Sequence, residues 1–183
     1  MKRGIIIFLA IVSLVFWRCQ KIEKVSDIPE IEFKSLTFEK QLDTLGYNTL
    51  ATIEFSFIDG NADLGVYDEI NADSSLPDSM RYGIFINFYE KLNGSYIQRY
   101  FVQEIDSFPY LDTLTLNMLL PYDEKLDRTG QNKTVSGIIR AGITLTTSLP
   151  YDTMRFEFYI RDRALNKSNV QYTTDFTNSD LDL

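Results

Sequence analysis

Four stretches of this chain alternate apolar and polar side chains with a period of two, and that pattern restricts the folds open to it. Ile53, Phe55 and Phe57 alternate with Thr52, Glu54 and Ser56, and Tyr82, Ile84, Ile86 and Phe88 alternate with Gly83, Phe85 and Asn87. Ile139, Ala141, Ile143 and Leu145 alternate with Arg140, Gly142 and Thr144; Met154, Phe156, Phe158 and Ile160 alternate with Arg155, Glu157, Tyr159 and Arg161. Successive side chains of a strand point to opposite faces, so each stretch presents one apolar face to a core and one face to water. No segment holds a convincing 3.6-residue period, and the class implied is all-β.

Local signals refine this. In "IEFKSLTFE" the alternation of Ile31 and Phe33 slips by one residue before Leu36 and Phe38, as a β-bulge at Lys34-Ser35 requires. Asn93-Gly94 separates two strand-like runs and tolerates the positive φ angles of a type I′ turn, which predicts a tight hairpin. Further runs at Leu114 to Leu119 and Val170 to Phe176 bring the expected count to about seven or eight strands. That count in 183 residues fits an immunoglobulin-like antiparallel β-sandwich over residues 30–177, with polar surface loops at Tyr67 to Met80 and Tyr122 to Thr134 and a tail at 178–183.

The N-terminus has the form of an export signal. Met1, Lys2 and Arg3 precede an apolar run from Gly4 to Trp17, short of the ~20 residues that span a bilayer. A single-pass anchor is the alternative. The one cysteine, Cys19, follows that run and has no second cysteine to pair with. Its placement resembles a bacterial lipoprotein signal, in which residues 1–18 are removed and the cysteine carries the lipid. Phe16, Trp17 and Arg18 stand where such signals place a small residue before the cysteine. Residues 19–29 then read as a lipid-anchored tether, and the expected address is the bacterial cell envelope, at the outer membrane. Loss of residues 1–18 removes three positive charges and takes the net charge from −8 to −11. A domain so acidic is repelled by phosphate backbones, which excludes nucleic acid as a natural partner.

The chain has no histidine and, with Cys19 set aside, no thiol. Ser-His-Asp and Cys-His catalysis and His-ligated zinc are therefore excluded. No Gly-Lys-Ser/Thr phosphate loop occurs. Two-carboxylate hydrolysis stays open in principle, but no pair stands out among 26 acids, and the expectation is not an enzyme.

"DGNADLG" is the stretch with the most chemical content. Asp59, Asn61 and Asp63 place hard oxygens at every second residue, as calcium loops do. The EF-hand pattern fails, because Leu64 takes the glycine position and Ile70 the glutamate position. Further ligands would have to come from elsewhere, and "IRDRALNKSN" offers Asp162, Asn166 and Asn169. In an immunoglobulin-like sandwich the strands before these stretches are second and sixth, and their following loops emerge at one end. Asp59 or Asp63 should then lie near Asp162. Two readings stand: a calcium site, or a pair of turns built on Asx hydrogen bonds with an Asp162–Arg163 surface pair.

Phe85, Tyr89 and Tyr159 fall on the wet faces of their strands, and Tyr96 and Tyr100 share a face of the hairpin's second strand. Such residues either stack on a sugar or peptide or are covered by loops.

"IEFSFIDGNADLG" and "FEFYIRDRALNKSN" together resemble the paired loops of small immunoglobulin-like lipoproteins of the Bacteroidetes type, one Asp-Gly-Asp-Gly-Asp-like and the other Asp-Arg-Ala-Gly-Asn-like. Ala62 and Leu165 stand where those loops often hold glycine. The resemblance implies a lipid-anchored envelope β-sandwich of uncharacterised function. The expected role is a non-catalytic binding or structural module with a calcium-binding loop end and a protein or glycan partner. The alternatives are a carbohydrate- or peptide-binding accessory that uses the aromatic face, and a carboxylate-based hydrolase.

Overall fold

The computed structural model describes residues 25–43, 46–99, 116–124, 133–146 and 149–181. The signal segment, Cys19 and the first half of the tether lie outside these residues, as do Tyr100 and residues 125–132 of the second polar loop.

Seven strands among the described residues form two antiparallel sheets. Strands β1 (Glu30–Asp43), β2 (Gly46–Asp59) and β5 (Val135–Thr146) make one sheet in the order β1-β2-β5. Strands β3 (Ile84–Leu92), β4 (Ser95–Arg99), β6 (Met154–Ile160) and β7 (Gln171–Tyr172) make the other in the order β4-β3-β6-β7. This is the all-β immunoglobulin-like sandwich that the alternation predicts. The register of β1 against β2 shifts between Phe33 and Ser35, at the predicted bulge. Asn93 and Gly94 take φ of 51° and 81° and close the predicted β3–β4 hairpin.

The inward residues are the predicted ones. Ile53 and Phe55 of β2, Ile143 and Leu145 of β5, Ile86 and Phe88 of β3, and Phe156 and Phe158 of β6 are buried in a single cluster. The sheets meet at aromatic contacts: Phe55 and Phe158 have ring centroids 5.0 Å apart, and Phe33 and Phe158 6.3 Å. Such pairs add specific geometry to the area they bury.

Four expectations are corrected. Residues 116–119 of the predicted Leu114–Leu119 strand make one isolated bridge, Met118 to Ile84. The chain then crosses to bridge Val66 at Pro121, which has no N–H with which to continue a ladder. The Val170–Phe176 run reduces to a two-residue β7, because the Thr173 hydroxyl accepts the Phe156 N–H at 3.0 Å in place of a backbone carbonyl. The Tyr67–Met80 loop contains two single-turn helices, α1 (Asp68–Ala72) and α2 (Asp78–Arg81). A further turn, α3 (Asn178–Leu181), occupies the stretch read as a tail; Leu181 is fully buried and its carbonyl accepts the Thr49 hydroxyl at 2.8 Å.

Candidate functional site

Strand β2 carries its inward alternation two residues beyond Phe57, so that Asp59 arrives at a core position with no exposed surface. The chain turns there because Gly60 lies against the N-terminal segment. Its N–H donates to Ser26 O at 2.8 Å, and a Cβ in its place would collide with the carbonyls of Val25 and Ser26. The turn closes on Asp59 itself, whose Oδ2 accepts the Asp63 N–H at 3.1 Å. Strand β6 ends at Ile160, and the next turn is built alike. Asp162, 4% exposed, accepts the Asn166 N–H at 2.7 Å and the Asn166 Nδ2 at 2.8 Å.

The structure brings the two loops together. The Arg163 N–H donates to Asp63 O at 3.0 Å, and Arg163 Nη1 donates to Leu64 O at 3.0 Å. Asp59, Asp63 and Asp162 lie close enough to repel one another electrostatically. The predicted neighbourhood of Asp59, Asp63 and Asp162 is therefore present. The predicted Asp162–Arg163 surface pair is replaced, because Asp162 is buried and its carboxylate caps its own loop through Asn166. Asn169 acts elsewhere. Its side chain exchanges two 2.8 Å hydrogen bonds with the Ile31 backbone, which ties this connection to β1.

Both loops use left-handed backbone at non-glycine residues, with φ of 58° at Ala62 and 66° at Leu165. That conformation costs an L-residue ~1–2 kcal/mol. Glycine would adopt it without that cost.

The acceptors are not all satisfied. Asp59 Oδ1, Asn61 Oδ1 and Asp63 Oδ1 are each buried and have no hydrogen-bond partner. A buried acceptor left unmade costs ~1–3 kcal/mol, and more if charged. Burial, followed by repulsion from Asp63, pushes the Asp59 carboxyl up to about 6, against the opposing effect of the backbone N–H groups that it accepts. Burial and repulsion from Asp162 also raise Asp63, against the attraction of Arg163. Oxygen acceptors without donors are what a hard cation takes as ligands. Among the described residues, no three acidic side chains stand close enough to hold a metal by themselves. The available donor set is two carboxylates and one amide, with backbone carbonyls and water as the complement.

Arg163 is the residue whose role the sequence misrepresents. Its guanidinium lies 5.3 Å from the ring centroids of both Tyr67 and Tyr122, which are 4.5 Å from each other. Nothing in the spacing of "DRALNKSN" indicates that clamp, since Tyr67 and Tyr122 come from distant parts of the chain. Beside it lies a mainly apolar cavity of about 180 Å³, against Tyr67, Met80 and Leu165, with Asp162 as the one acid in its lining.

Comparison of the chain with protein-family models, with curated proteins and with solved structures returns no match.

Two outcomes follow from this geometry. Asp59 binds its proton more tightly folded than unfolded, so its contribution to stability is complete below about pH 4 and is lost as pH rises through about 6. In EDTA, the melting temperature of the wild type relative to Asp59→Asn should therefore fall between pH 4 and pH 7; a pH-independent difference would contradict the burial of that charge. Leu165→Gly should raise stability by ~0.5–1 kcal/mol, or ~1–4 °C, as relief of strain outweighs glycine's entropy. A lower melting temperature would mean that the Leu165 side chain contributes more in its cavity than its backbone costs.

Proposed function

We propose that the chain is a lipid-anchored β-sandwich of the bacterial cell envelope, attached to the outer membrane through Cys19. In this proposal it serves as a non-catalytic binding or structural module whose loop end takes a calcium ion. The observation that carries the calcium reading is the set of three orphaned oxygens, Asp59 Oδ1, Asn61 Oδ1 and Asp63 Oδ1, buried in one loop. Calcium accepts six to eight oxygens at ~2.3–2.6 Å in flexible geometry, so a loop with few carboxylates can hold it at the weak affinity of extracellular modules. The cation would also remove the repulsion among Asp59, Asp63 and Asp162. Asp162 would act at a distance, since Asn166 already engages both of its oxygens.

The anchor rests on the apolar run from Gly4 to Trp17 and the single Cys19 behind it. Both support attachment by lipid.

A thermal melt of the full-length chain in EDTA and then in millimolar calcium tests the site. Calcium at about a hundred times its dissociation constant contributes ~2.7 kcal/mol. The midpoint should then rise by ~5–11 °C for a domain of this size. Asp59→Asn should melt higher than the wild type in EDTA at pH 7, because it removes a buried charge, and should lose the calcium increment. An equal calcium shift in both proteins, or none in the wild type, would leave the loops as hydrogen-bonded turns. For the anchor, Cys19→Ser should move the protein from the membrane pellet to the soluble fraction of the cell; continued sedimentation with membranes would favour the apolar run as a permanent anchor.

A further inference from the structure

The outer face of the four-stranded sheet carries the aromatic residues singled out in the sequence, and cations lie over their rings. The guanidinium carbon of Arg155 on β6 lies 3.3 Å from the Tyr96 ring centroid and 4.3 Å from that of Tyr172. Arg161, just past the end of β6, lies 5.7 Å from the Phe85 centroid, and Lys167, bridged to Arg161, has its Nζ 3.9 Å from that of Tyr159. Phe85 and Tyr159 are themselves stacked at 5.0 Å, and of the aromatic residues on this face Phe85 is buried, 7% exposed, while Tyr89, Tyr96 and Tyr159 are half-buried. The register places Tyr89 beside Arg155, Asn87 beside Glu157 and Phe85 beside Tyr159, all on one face.

These cations make no direct ion pair, although Asp175 lies near enough to Arg155 for the two to attract. Among the described residues no carboxylate lies within ion-pair distance of Arg155, Arg161 or Lys167. The buried Nε atoms of Arg155 and Arg161 have no hydrogen-bond acceptor. The acids of the same face are engaged elsewhere: Asp175 accepts from Lys91 and Tyr96, and Glu157 from Asn87 and Tyr89. A ring face taken by a guanidinium is closed to a stacking sugar. A stacked guanidinium, however, keeps its in-plane N–H edges, which match a carboxylate or sulfate.

We propose that this face binds an acidic polysaccharide, with Arg155 at one end and Arg161 and Lys167 at the other meeting its carboxylate or sulfate groups. About six residues of strand separate the two ends, a span of ~20 Å. Between them Gln98 donates to Asn87 at 3.2 Å and Asn87 to Glu157 at 3.0 Å, a row of amide and carboxylate groups suited to sugar hydroxyls. Charge complementarity selects the class of ligand. On a chain of net charge −8, a strip of cations without direct ion-pair partners is where an anionic polymer gains rather than loses. An extended peptide would need unpaired backbone groups, which a sheet offers at its edges and not on its face.

The test is binding of the full-length chain, at low salt and in EDTA, to polygalacturonate and to heparin, with dextran as the neutral polymer and polyglutamate as the acidic peptide. Binding to at least one of the acidic glycans is expected, with weakening at high salt and none to dextran. Arg155→Gln, Arg161→Gln and the charge reversal Lys167→Glu should each weaken it by roughly tenfold. Lys167 lies on the surface, so Lys167→Glu gives an answer even where an arginine variant fails to fold. No binding to either acidic glycan, equal binding to dextran, polyglutamate binding as tight as glycan binding, or affinity unchanged in Lys167→Glu would each overturn the proposal. The EDTA keeps this outcome separate from that of the calcium loop.

Discussion

Strand β2 packs against β6 through Phe55 and Phe158, and the position of everything else of chemical interest follows from that contact. The two strands belong to different sheets, so neither backbone ladder holds them together; the apolar faces do. Because both leave the core at the same end, their following loops have no choice but to meet. The Arg163 backbone N–H then reaches Asp63 O, and its side chain reaches Leu64 O. Polar joints of this kind are worth only ~1 kcal/mol each in net stability. They orient the loops, while the aromatic core supplies the stability that holds the loops in contact.

That dependence explains how an acid comes to be buried. Asp59 occupies a core position because the period of β2 carries it there, and the loop adapts around it with an Asx turn and a left-handed Ala62. Left alone, the arrangement combines three destabilising features within one short loop: a desolvated carboxylate, neighbouring acids, and backbone strain at a residue with a Cβ. Strain and unmade hydrogen bonds persist where the surrounding structure over-determines them, and they cluster at functional sites. A cation between the acids would offset the first two features and leave only the third.

Much of this is legible in the residues. The alternation identifies the inward faces of β2, β3, β5 and β6, and Asn93-Gly94 and the slip after Phe33 mark the hairpin and the bulge, because each is a local rule acting on neighbouring residues. What escapes depends on tertiary partners. Alternation places Phe85 on the outer face, but its burial depends on Tyr159 and Arg161, which the sequence of β3 does not mention. The strand expected near Leu116 shrinks to a bridge at Met118 because the chain crosses at Pro121 to the first loop. The short β7 reflects a threonine hydroxyl standing in for a backbone carbonyl, a substitution that no periodicity can reveal. At the candidate site the residues are identifiable from spacing, whereas the orphaned oxygens and the Arg163 clamp become visible only with the fold.

Strand β6 shows how one short segment can serve three purposes. Its even-numbered residues, Met154 to Ile160, are all buried and build the core. Its odd-numbered residues put Arg155, Glu157 and Tyr159 on the outer face, where Arg161 continues the row. Its end delivers Asp162 to the loop pair, one residue past Arg161, whose N–H is held by Gly83 O at 2.9 Å. The period-2 geometry keeps a cation and an acid that are adjacent in sequence on different sides of the sheet. Were Arg161 to face inward, it would offset the charge of the acidic loop end, and the outer face would lose a cation. The placement of Arg161 and Asp162 on opposite sides is therefore a direct consequence of strand geometry, and both proposed binding surfaces depend on it.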